Sequence, residues 1–290
     1  DWTAYPFASQ NRKDFDNLLS VYLDAVFFAR LDPLDFAQEG IRVEFEKPDD
    51  PDSALVYKGV VFNEMKGAMS TAQSVLWETL NKHLFPSTTY HYNSGGDPEH
   101  IPDLRYEDLV AFYKEHYHPS NAVFMTFGDI PAVELQEKIH EQALKEFAAL
   151  PEQIRGRDEK RYHAPVRVEE AYALDEEGTS AKTHIVMGWL LGQTANLRER
   201  FEAELLSGVL LENSASPLRH YLETTELGQA PSSLCGVDDS GRELSFMCGI
   251  EGSEPERAAA FEEGVLAVLR EVAEYGVPEE DVEAVLHQLE

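Results

Sequence analysis

The sequence predicts an α+β protein built from two units. Along the chain, segments whose apolar residues recur every three or four positions alternate with short apolar or alternating runs, which indicates helices and strands in turn. The arginine-rich stretch 151–167 breaks this periodicity, reverses the local charge and has prolines near both ends. These features predict that residues 151–167 are the linker between the units.

Two segments of the chain echo each other weakly. Residues 124–128 (Phe-Met-Thr-Phe-Gly) and 246–249 (Phe-Met-Cys-Gly) each precede a helical pattern after an acidic turn. Two related α+β units would explain this echo, and so would similar packing of helices on strands in two unrelated domains.

The first unit is predicted to begin with an amphipathic helix over residues 15–27. A half-buried strand follows over residues 40–47, where Ile41, Val43 and Phe45 alternate with charges and are expected to face inward. The remaining predicted elements are a helix around Glu64, a helix over 71–84, a loop over 93–98, a helix over 106–117, a strand over 122–127 and a helix over 132–147.

The second unit is predicted to start with strands and to end with helices. The predicted strands are 166–174, 183–191, 234–237 and 244–250, and the predicted helices are 201–209, 261–272 and a last one that begins at Pro278.

Composition narrows the classes of function. The chain has 290 residues and a net charge of -30, from 54 acidic and 24 basic residues, which argues against nucleic-acid binding. The acidic balance is compatible with a basic peptide substrate, and a heavily solvated acidic surface would produce the same composition. No apolar run reaches the length of a membrane span, so we expect no membrane partner and a soluble protein of the cytoplasm or an organelle matrix.

The two cysteines, Cys235 and Cys248, lie in strand-like stretches without CxxC spacing. Their number excludes a cysteine-rich zinc site, and the size of the chain excludes a disulfide scaffold. We therefore expect buried thiols.

Glu64 is the candidate functional residue with the strongest local pattern. At helical spacing it falls on a stripe with the apolar residues Tyr57, Val60, Val61, Met65 and Ala68. That stripe predicts a carboxylate on the buried side of its helix, where it would need a metal, an arginine or backbone amides as a partner. The pattern alone leaves these three partners open.

Five segments in order resemble the presequence-protease branch of the pitrilysin/insulinase zinc metallopeptidases. The segments are 5–11 (YPFASQN), 22–28 (YLDAVFF), 59–69 (GVVFNEMKGAM), 93–98 (NSGGDP) and 117–122 (YHPSNA), with a looser likeness in the second half around 216–218. The resemblance implies long chains of four related α+β domains, whose two halves close around a chamber that admits unfolded peptides.

The resemblance implies that Glu64 is the third ligand of a zinc ion. In that family two histidines and a catalytic glutamate lie in an HxxEH helix, and a His₂Glu site with an open position suits hydrolysis of an amide by activated water. None of the ten histidines here begins HxxEH or HExxH, and the nearest miss, His220, has Thr224 where the second histidine is needed. We therefore expect no catalytic residue in this chain.

The same resemblance implies a domain organisation. Residues 1–150 are expected to be a truncated first peptidase-family domain that carries Glu64, 151–167 the linker, and 168–290 a second, non-catalytic and C-terminally incomplete domain of the same α/β-roll type. The HxxEH segment and the C-terminal half would then lie elsewhere in a parent zinc peptidase, and the fragment would be inactive and without zinc. The alternative is a non-catalytic, chamber-forming or partner-binding half of a peptidase assembly.

Two further groups of residues are candidates for a functional role. The turn Ser94-Gly95-Gly96 is expected either to approach the substrate backbone or to need a positive φ, and the second interpretation is favoured. The pair His116 and His118 alternates as metal ligands on a strand do, but its place at a helix end before Pro119 favours a capping or packing role.

Overall fold

The computed structural model describes residues 2–174 and 177–290. In chain order the main elements are α1 (Arg12–Phe27), α2 (Pro33–Asp35), β1 (Arg42–Phe45), β2 (Leu55–Lys58), α3 (Val60–Ala68), α4 (Ala72–Leu84), α5 (Tyr106–His116), α6 (Ala132–Gln142), β3 (Thr183–Gln193), α7 (Leu197–Leu211), α8 (Pro217–Thr224), β4 (Ala230–Pro231), β5 (Gly236–Asp238), β6 (Glu243–Ser253), α9 (Ala258–Tyr275) and α10 (Glu279–Leu289). A π-helical turn, Phe36–Gly40, follows α2.

The chain forms two compact units. The N-terminal unit comprises residues 2–68 and 94–155, and the C-terminal unit comprises 69–93 and 156–290. Residues 69–93 therefore group with the second part of the chain instead of completing a continuous unit over 1–150. The apolar side of α4 explains this, because Leu80 and Leu84 lie against Gly188 of β3, where an added Cβ would sit 3.2–3.3 Å from their methyl groups.

The C-terminal unit is a sheet covered by helices. β6 is its central strand and pairs antiparallel with β3, β4 and β5. Helices α7, α8 and α9 bury their apolar residues against it. The most deeply buried members of this core are Leu210, Leu218, Leu222, Cys248, Ile250, Phe261 and Val265.

The N-terminal unit has a helical core and a small hairpin. α1 and α6 pack together through Leu19, Leu23, Leu135 and Ile139. Asn11 begins α1, because its side chain accepts hydrogen bonds from the amides of Lys13 and Asp14. β1 and β2 pair antiparallel, with Val43 opposite Tyr57 and Phe45 opposite Leu55.

Three predicted elements differ in the structure. Residues 122–127 form no β-ladder, because no strand of the described chain lies beside them. Residues 166–174 likewise form no strand. The helix predicted over 132–147 ends at Gln142, and a single 3-10 turn, Leu144–Glu146, replaces its last part.

Part of the predicted linker is tied into the C-terminal unit. The Glu159 carboxylate is buried and accepts hydrogen bonds from the amide and hydroxyl of Ser87, at 2.8 and 2.5 Å. The Glu159 amide donates to the buried carboxylate of Glu243, which also pairs with Arg161 at 2.7 Å. The Arg161 guanidinium donates to the carbonyl of Leu191. Arg161, one of the arginines on which the linker prediction rests, therefore has a structural role in the C-terminal unit.

Candidate functional site

Helix α3, which carries Glu64, starts at a close contact between two glycines. An added Cβ at Gly59 would lie 2.6 Å from the carbonyl carbon of Gly40 and closer still to its oxygen. A side chain at residue 59 would therefore force β2 and α3 away from the π-helical turn that ends at Gly40. The amide of Asn63 donates to the carbonyl of Gly59, which fixes the first turn of the helix.

The buried side of α3 is formed by Phe62 and Met65. Phe62 lies against Tyr57, with ring centroids 6.2 Å apart, and Lys66 lies over the Phe62 ring at 5.5 Å. At about 100° per residue, Glu64 is rotated by about 200° from Phe62 and by about 100° from Met65, so it lies away from the side that these two residues bury.

Glu64 is exposed, and the prediction that it lies on the buried side of its helix is wrong for this structure. Val60 and Val61, its neighbours on the predicted apolar stripe, are exposed as well, at 43% and 38%. Met65 is the one buried residue of that stripe, because the described part of the chain covers the side of α3 on which Phe62 lies. The stripe exists, and it is open to solvent.

The hairpin before α3 presents a second exposed apolar face. Val43 and Phe45 on β1 and Leu55 and Tyr57 on β2 are 37–65% exposed. The predicted inward orientation of Val43 and Phe45 is therefore wrong. The alternation of both strands was the available signal for this face, but it could not tell which side is covered.

The other face of the hairpin is held by an ion triad. Glu44 pairs with Arg42 and with Lys58, the latter at 3.1 Å. Hydrogen bonds from these two cations lower the pKa of the Glu44 carboxyl. The polar side chains of the hairpin are thus paired with one another, whereas its apolar side chains face solvent.

In the turn Ser94-Gly95-Gly96, Gly96 adopts a backbone conformation that favours glycine. Gly96 has a φ of +92°, and an added Cβ there would lie 3.3 Å from Ile101, which is buried. The interpretation of a turn that needs positive φ is confirmed. The turn belongs to the same unit as Glu64, and its approach to a substrate stays a prediction.

The two alternating histidines have structural roles. Nδ1 of His118 accepts a hydrogen bond from the amide of Ser120 at 3.1 Å and caps the short helix there. His116 packs on Phe112, with ring centroids 4.1 Å apart. The predicted capping and packing roles are confirmed.

Two segments that carried the family resemblance meet in the N-terminal unit. The hydroxyl of Tyr5 donates to the hydroxyl of Tyr117 at 3.1 Å. Burial, together with this hydrogen bond, raises the pKa of Tyr5 to about 12. Two residues of the first motif thus have structural contacts: Tyr5 is hydrogen-bonded to Tyr117, and Asn11 caps α1.

The described residues do not by themselves fit a zinc ion. Within residues 2–174 and 177–290, no group of three or more histidine, cysteine, aspartate or glutamate side chains is arranged to hold a metal. Zinc sites in proteins use three or four such donors, and α3 offers one carboxylate. The described residues therefore do not complete such a site on their own.

No helix in the described part of the chain is both long enough and apolar enough to cross a membrane.

Comparison with curated proteins gives relatives that match this chain over its whole length. It is 40% identical over 295 residues to "Presequence protease, mitochondrial" of Xenopus tropicalis, and 38% identical over 295 residues to the protein of the same name of Schizosaccharomyces pombe. All of the chain is covered in both alignments, and it spans 28–29% of the length of these relatives.

Two solved structures with a similar fold are described as proteases. The chain resembles a protease from Helicobacter pylori with a TM-score of 0.62 and 16% identity, covering 96% of this chain and 62% of that one. It also resembles the first half of the periplasmic protease PqqL from Escherichia coli, with a TM-score of 0.54 and 15% identity, covering 96% and 55%. The predicted α+β fold class is confirmed by these likenesses and by the mixed helices and sheets of the chain.

A family model identifies the chain independently of these relatives. The model described as "Peptidase M16 inactive domain" matches residues 103–289, which is more than half of the chain. The predicted resemblance to zinc peptidases of the presequence-protease branch is confirmed by this match together with the curated relatives. The chain belongs to the M16 peptidase family.

Proposed function

We propose that this chain is a section of a zinc metalloendopeptidase that degrades unfolded or short peptides in a closed chamber. Glu64 supplies one ligand of the zinc ion, and the other ligands and the general base come from parts of a longer polypeptide. The proposal is supported by membership of the M16 family and by relatives that are more than three times as long as this chain.

The observation that carries the proposal is the exposed stripe around Glu64. Val60 and Val61 flank the carboxylate, and the apolar face of the hairpin precedes it in sequence. Contiguous exposed apolar surface is typical of a surface that another segment covers. A carboxylate within such a surface would be enclosed when the cover is in place, and it would then need a metal or another charged partner.

The chain alone is proposed to be inactive and to bind no zinc of its own. A bound zinc ion would supply the Lewis acid for amide hydrolysis, and one carboxylate does not hold such an ion. The role proposed for this chain is to position the Glu64 carboxylate, through the Gly59–Gly40 contact and the buried side chains of Phe62 and Met65.

Unfolded peptides with basic residues are the substrates that we propose. The net charge of -30 would attract such peptides at low ionic strength, and the attraction would weaken as salt is added. The names of the curated relatives add a mitochondrial location to the proposal, with an organelle matrix as the compartment of this protein.

The test uses the longer polypeptide encoded by the same gene. Zinc content and cleavage of an unfolded peptide are measured for the wild type, for Glu64→Gln and for Glu137→Gln. Glu137 is a matched control, because it is an exposed glutamate on helix α6 of the same unit. Glu64→Gln is expected to lose zinc and activity together, and Glu137→Gln to keep both. Undiminished activity of Glu64→Gln would contradict the proposal.

The second candidate is a non-catalytic half that shapes a chamber or binds a catalytic partner. The description of the matching family model as an inactive domain favours it. A longer polypeptide that lacks HxxEH, and that associates with a separate HxxEH-bearing chain in light scattering, is the result expected for this candidate. A longer polypeptide that itself carries HxxEH and cleaves peptides is the result expected for the first.

A further inference from the structure

The two cysteines of the chain lie on neighbouring strands of the C-terminal unit. Cys248 is on the central strand β6, and Cys235 comes directly before β5. The two strands pair antiparallel, with Gly236 opposite Met247. Because residue numbers rise along one strand as they fall along the other, the next pair in this register is Cys235 and Cys248.

The sulfur of Cys235 lies beside the backbone that follows Cys248. The amide of Gly249 donates a hydrogen bond to Sγ of Cys235 at 3.4 Å, and the Cys235 thiol donates to the Gly249 carbonyl at 3.6 Å. Gly249 is the residue bonded to Cys248. The two thiols are also close enough that a thiolate at Cys235 raises the pKa of Cys248. The register and the hydrogen bonds therefore bring both side chains to one point of the sheet.

The two thiols differ in their access to solvent. Cys248 is fully buried in the core of the unit, and Cys235 is half-buried at the border of that core. A small solute can therefore reach Cys235, whereas Cys248 reacts with a group that already lies beside it. Burial raises the pKa of both thiols, and the charge of Arg219 on α8 opposes this at Cys235. Both thiols are mostly protonated near neutral pH, so their oxidation is slow.

A bond between the two sulfurs needs only a small movement of the backbone. Opposite residues of an antiparallel pair have Cβ atoms about 4.5–5.5 Å apart, and a disulfide needs about 3.5–4.5 Å. Gly236, next to Cys235, has a φ of +127° and carries no side chain that resists a change there. Because β5 has only 3 residues, Cys235 can approach β6 by about 1 Å without a shift of a long strand.

We propose that Cys235 and Cys248 form an oxidation site, at which a hydroperoxide converts the two thiols into a disulfide within the sheet. In the first step the Cys235 thiolate takes the outer oxygen of the hydroperoxide, the O–O bond breaks, and an alcohol leaves, or water when the oxidant is hydrogen peroxide. In the second step the Cys248 sulfur attacks the sulfenic sulfur of Cys235, the S–O bond breaks, and the oxygen leaves as water. Two thiols are oxidised to one disulfide, and one hydroperoxide is reduced.

The place of Cys248 protects Cys235 from further oxidation. A sulfenic acid that has no thiol beside it is oxidised on to sulfinic acid, which thiols do not reduce. A disulfide is reduced again by thiol exchange. The pair therefore takes up an oxidant reversibly, and it does so independently of Glu64 and of the proposed peptidase function.

Mass spectrometry of the unaltered chain tests the proposal. The folded chain is treated with hydrogen peroxide at pH 8, its remaining thiols are alkylated, and the protein is digested. We expect a peptide that joins Cys235 to Cys248, lighter by two hydrogen atoms than its two halves, which separates when a thiol reductant is added. The assignment is unambiguous, because the chain has 2 cysteines.

Three results of this experiment would overturn the proposal. The first is sulfinic acid at Cys235 together with an unmodified Cys248 thiol. The second is a disulfide that joins two copies of the chain. The third is a pair of unmodified thiols in the folded chain, under peroxide treatment that oxidises both thiols in denaturant.

Two substitutions separate the two steps. Cys248→Ala removes the attacking thiol and keeps residue 248 apolar, and circular dichroism checks that the variant is folded. Dimedone, which traps sulfenic acid, is expected to label Cys235 at least about 10-fold more in Cys248→Ala than in the wild type. Cys235→Ala is the matched control, in which buried Cys248 is expected to stay unlabelled. Equal labelling of Cys235 with and without Cys248, or ready labelling of Cys248 in Cys235→Ala, would contradict the proposal.

Discussion

Gly59→Ala is expected to displace the helix that carries Glu64. The added Cβ would lie 2.6 Å from the carbonyl carbon of Gly40 and 3.1 Å from the amide nitrogen of Ile41. Carbon atoms in contact are about 3.5 Å apart, so the backbone must move by about 1 Å. Both neighbours are backbone atoms, which cannot turn aside as a flexible side chain does.

The cost of that movement can be estimated. Overpacking of this kind costs about 1–3 kcal/mol, which corresponds to a fall of about 2–12 °C in melting temperature for a domain of 150–250 residues. The melting temperature is measured by circular dichroism on the 290-residue chain, and hydrogen exchange of residues 60–68 reports on α3 itself.

Gly67→Ala is the matched control for Gly59→Ala. Gly67 lies in the same helix, and an added Cβ there meets no atom within 4 Å. Alanine is favoured over glycine in a helix by up to about 1 kcal/mol, so this variant should be at least as stable as the wild type. A Gly59→Ala variant as stable as the wild type, or a Gly67→Ala variant that loses as much, would refute the role assigned to the Gly59–Gly40 contact.

Three further predictions concern the C-terminal unit. Phe261→Ala should lower the free energy of unfolding by about 3–5 kcal/mol in urea titrations, because Phe261 is fully buried in the core; a loss below about 1 kcal/mol would contradict its place there. Burial opposes ionisation of the Glu159 carboxyl, but hydrogen bonds from Ser87 outweigh the effect of burial, and the pKa of Glu159 is lowered. The contribution of Glu159 to stability is therefore present above the ordinary pKa of 4.5 and is lost as the pH falls through the lowered pKa. Glu159→Gln should therefore flatten the acid limb of the stability profile measured from pH 6 to pH 3, and an unchanged profile would count against this. Burial raises the pKa of the Cys248 thiol, and partial burial raises that of Cys235, so a thiol reagent at pH 8 should label Cys248 slowly in the native chain and both thiols rapidly in denaturant; equally fast labelling of Cys248 in the native chain would disprove its burial.

The elements that local pattern determines were predicted correctly. Helix α1 follows from apolar residues every three or four positions, and Asn11 is a good first residue for it. Long apolar runs predict strands β3 and β6, and the glycine pair after Ser94 predicts the positive φ that Gly96 has. These features depend on residues that are close in sequence.

The features that depend on distant partners were predicted less well. A stripe of apolar residues indicates which side of a helix can be buried, but it does not show whether another segment covers that side. For this reason Glu64 is predicted to be buried and is exposed in the structure. The same holds for residues 122–127, which the apolar pattern predicts as a strand but which form none in the structure, because no strand of the described chain lies beside them. The grouping of α4 with the C-terminal unit also depends on a contact, with Gly188, that sequence spacing does not encode.

The proposed role of Glu64 as a zinc ligand is tested most directly by locating the metal. Crystals of the longer polypeptide, grown with zinc, would be measured on both sides of the zinc absorption edge to obtain an anomalous difference map. The account predicts a zinc peak about 2.0–2.2 Å from a carboxylate oxygen of Glu64. A zinc peak elsewhere, with the Glu64 side chain in solvent or paired with an arginine, would contradict it.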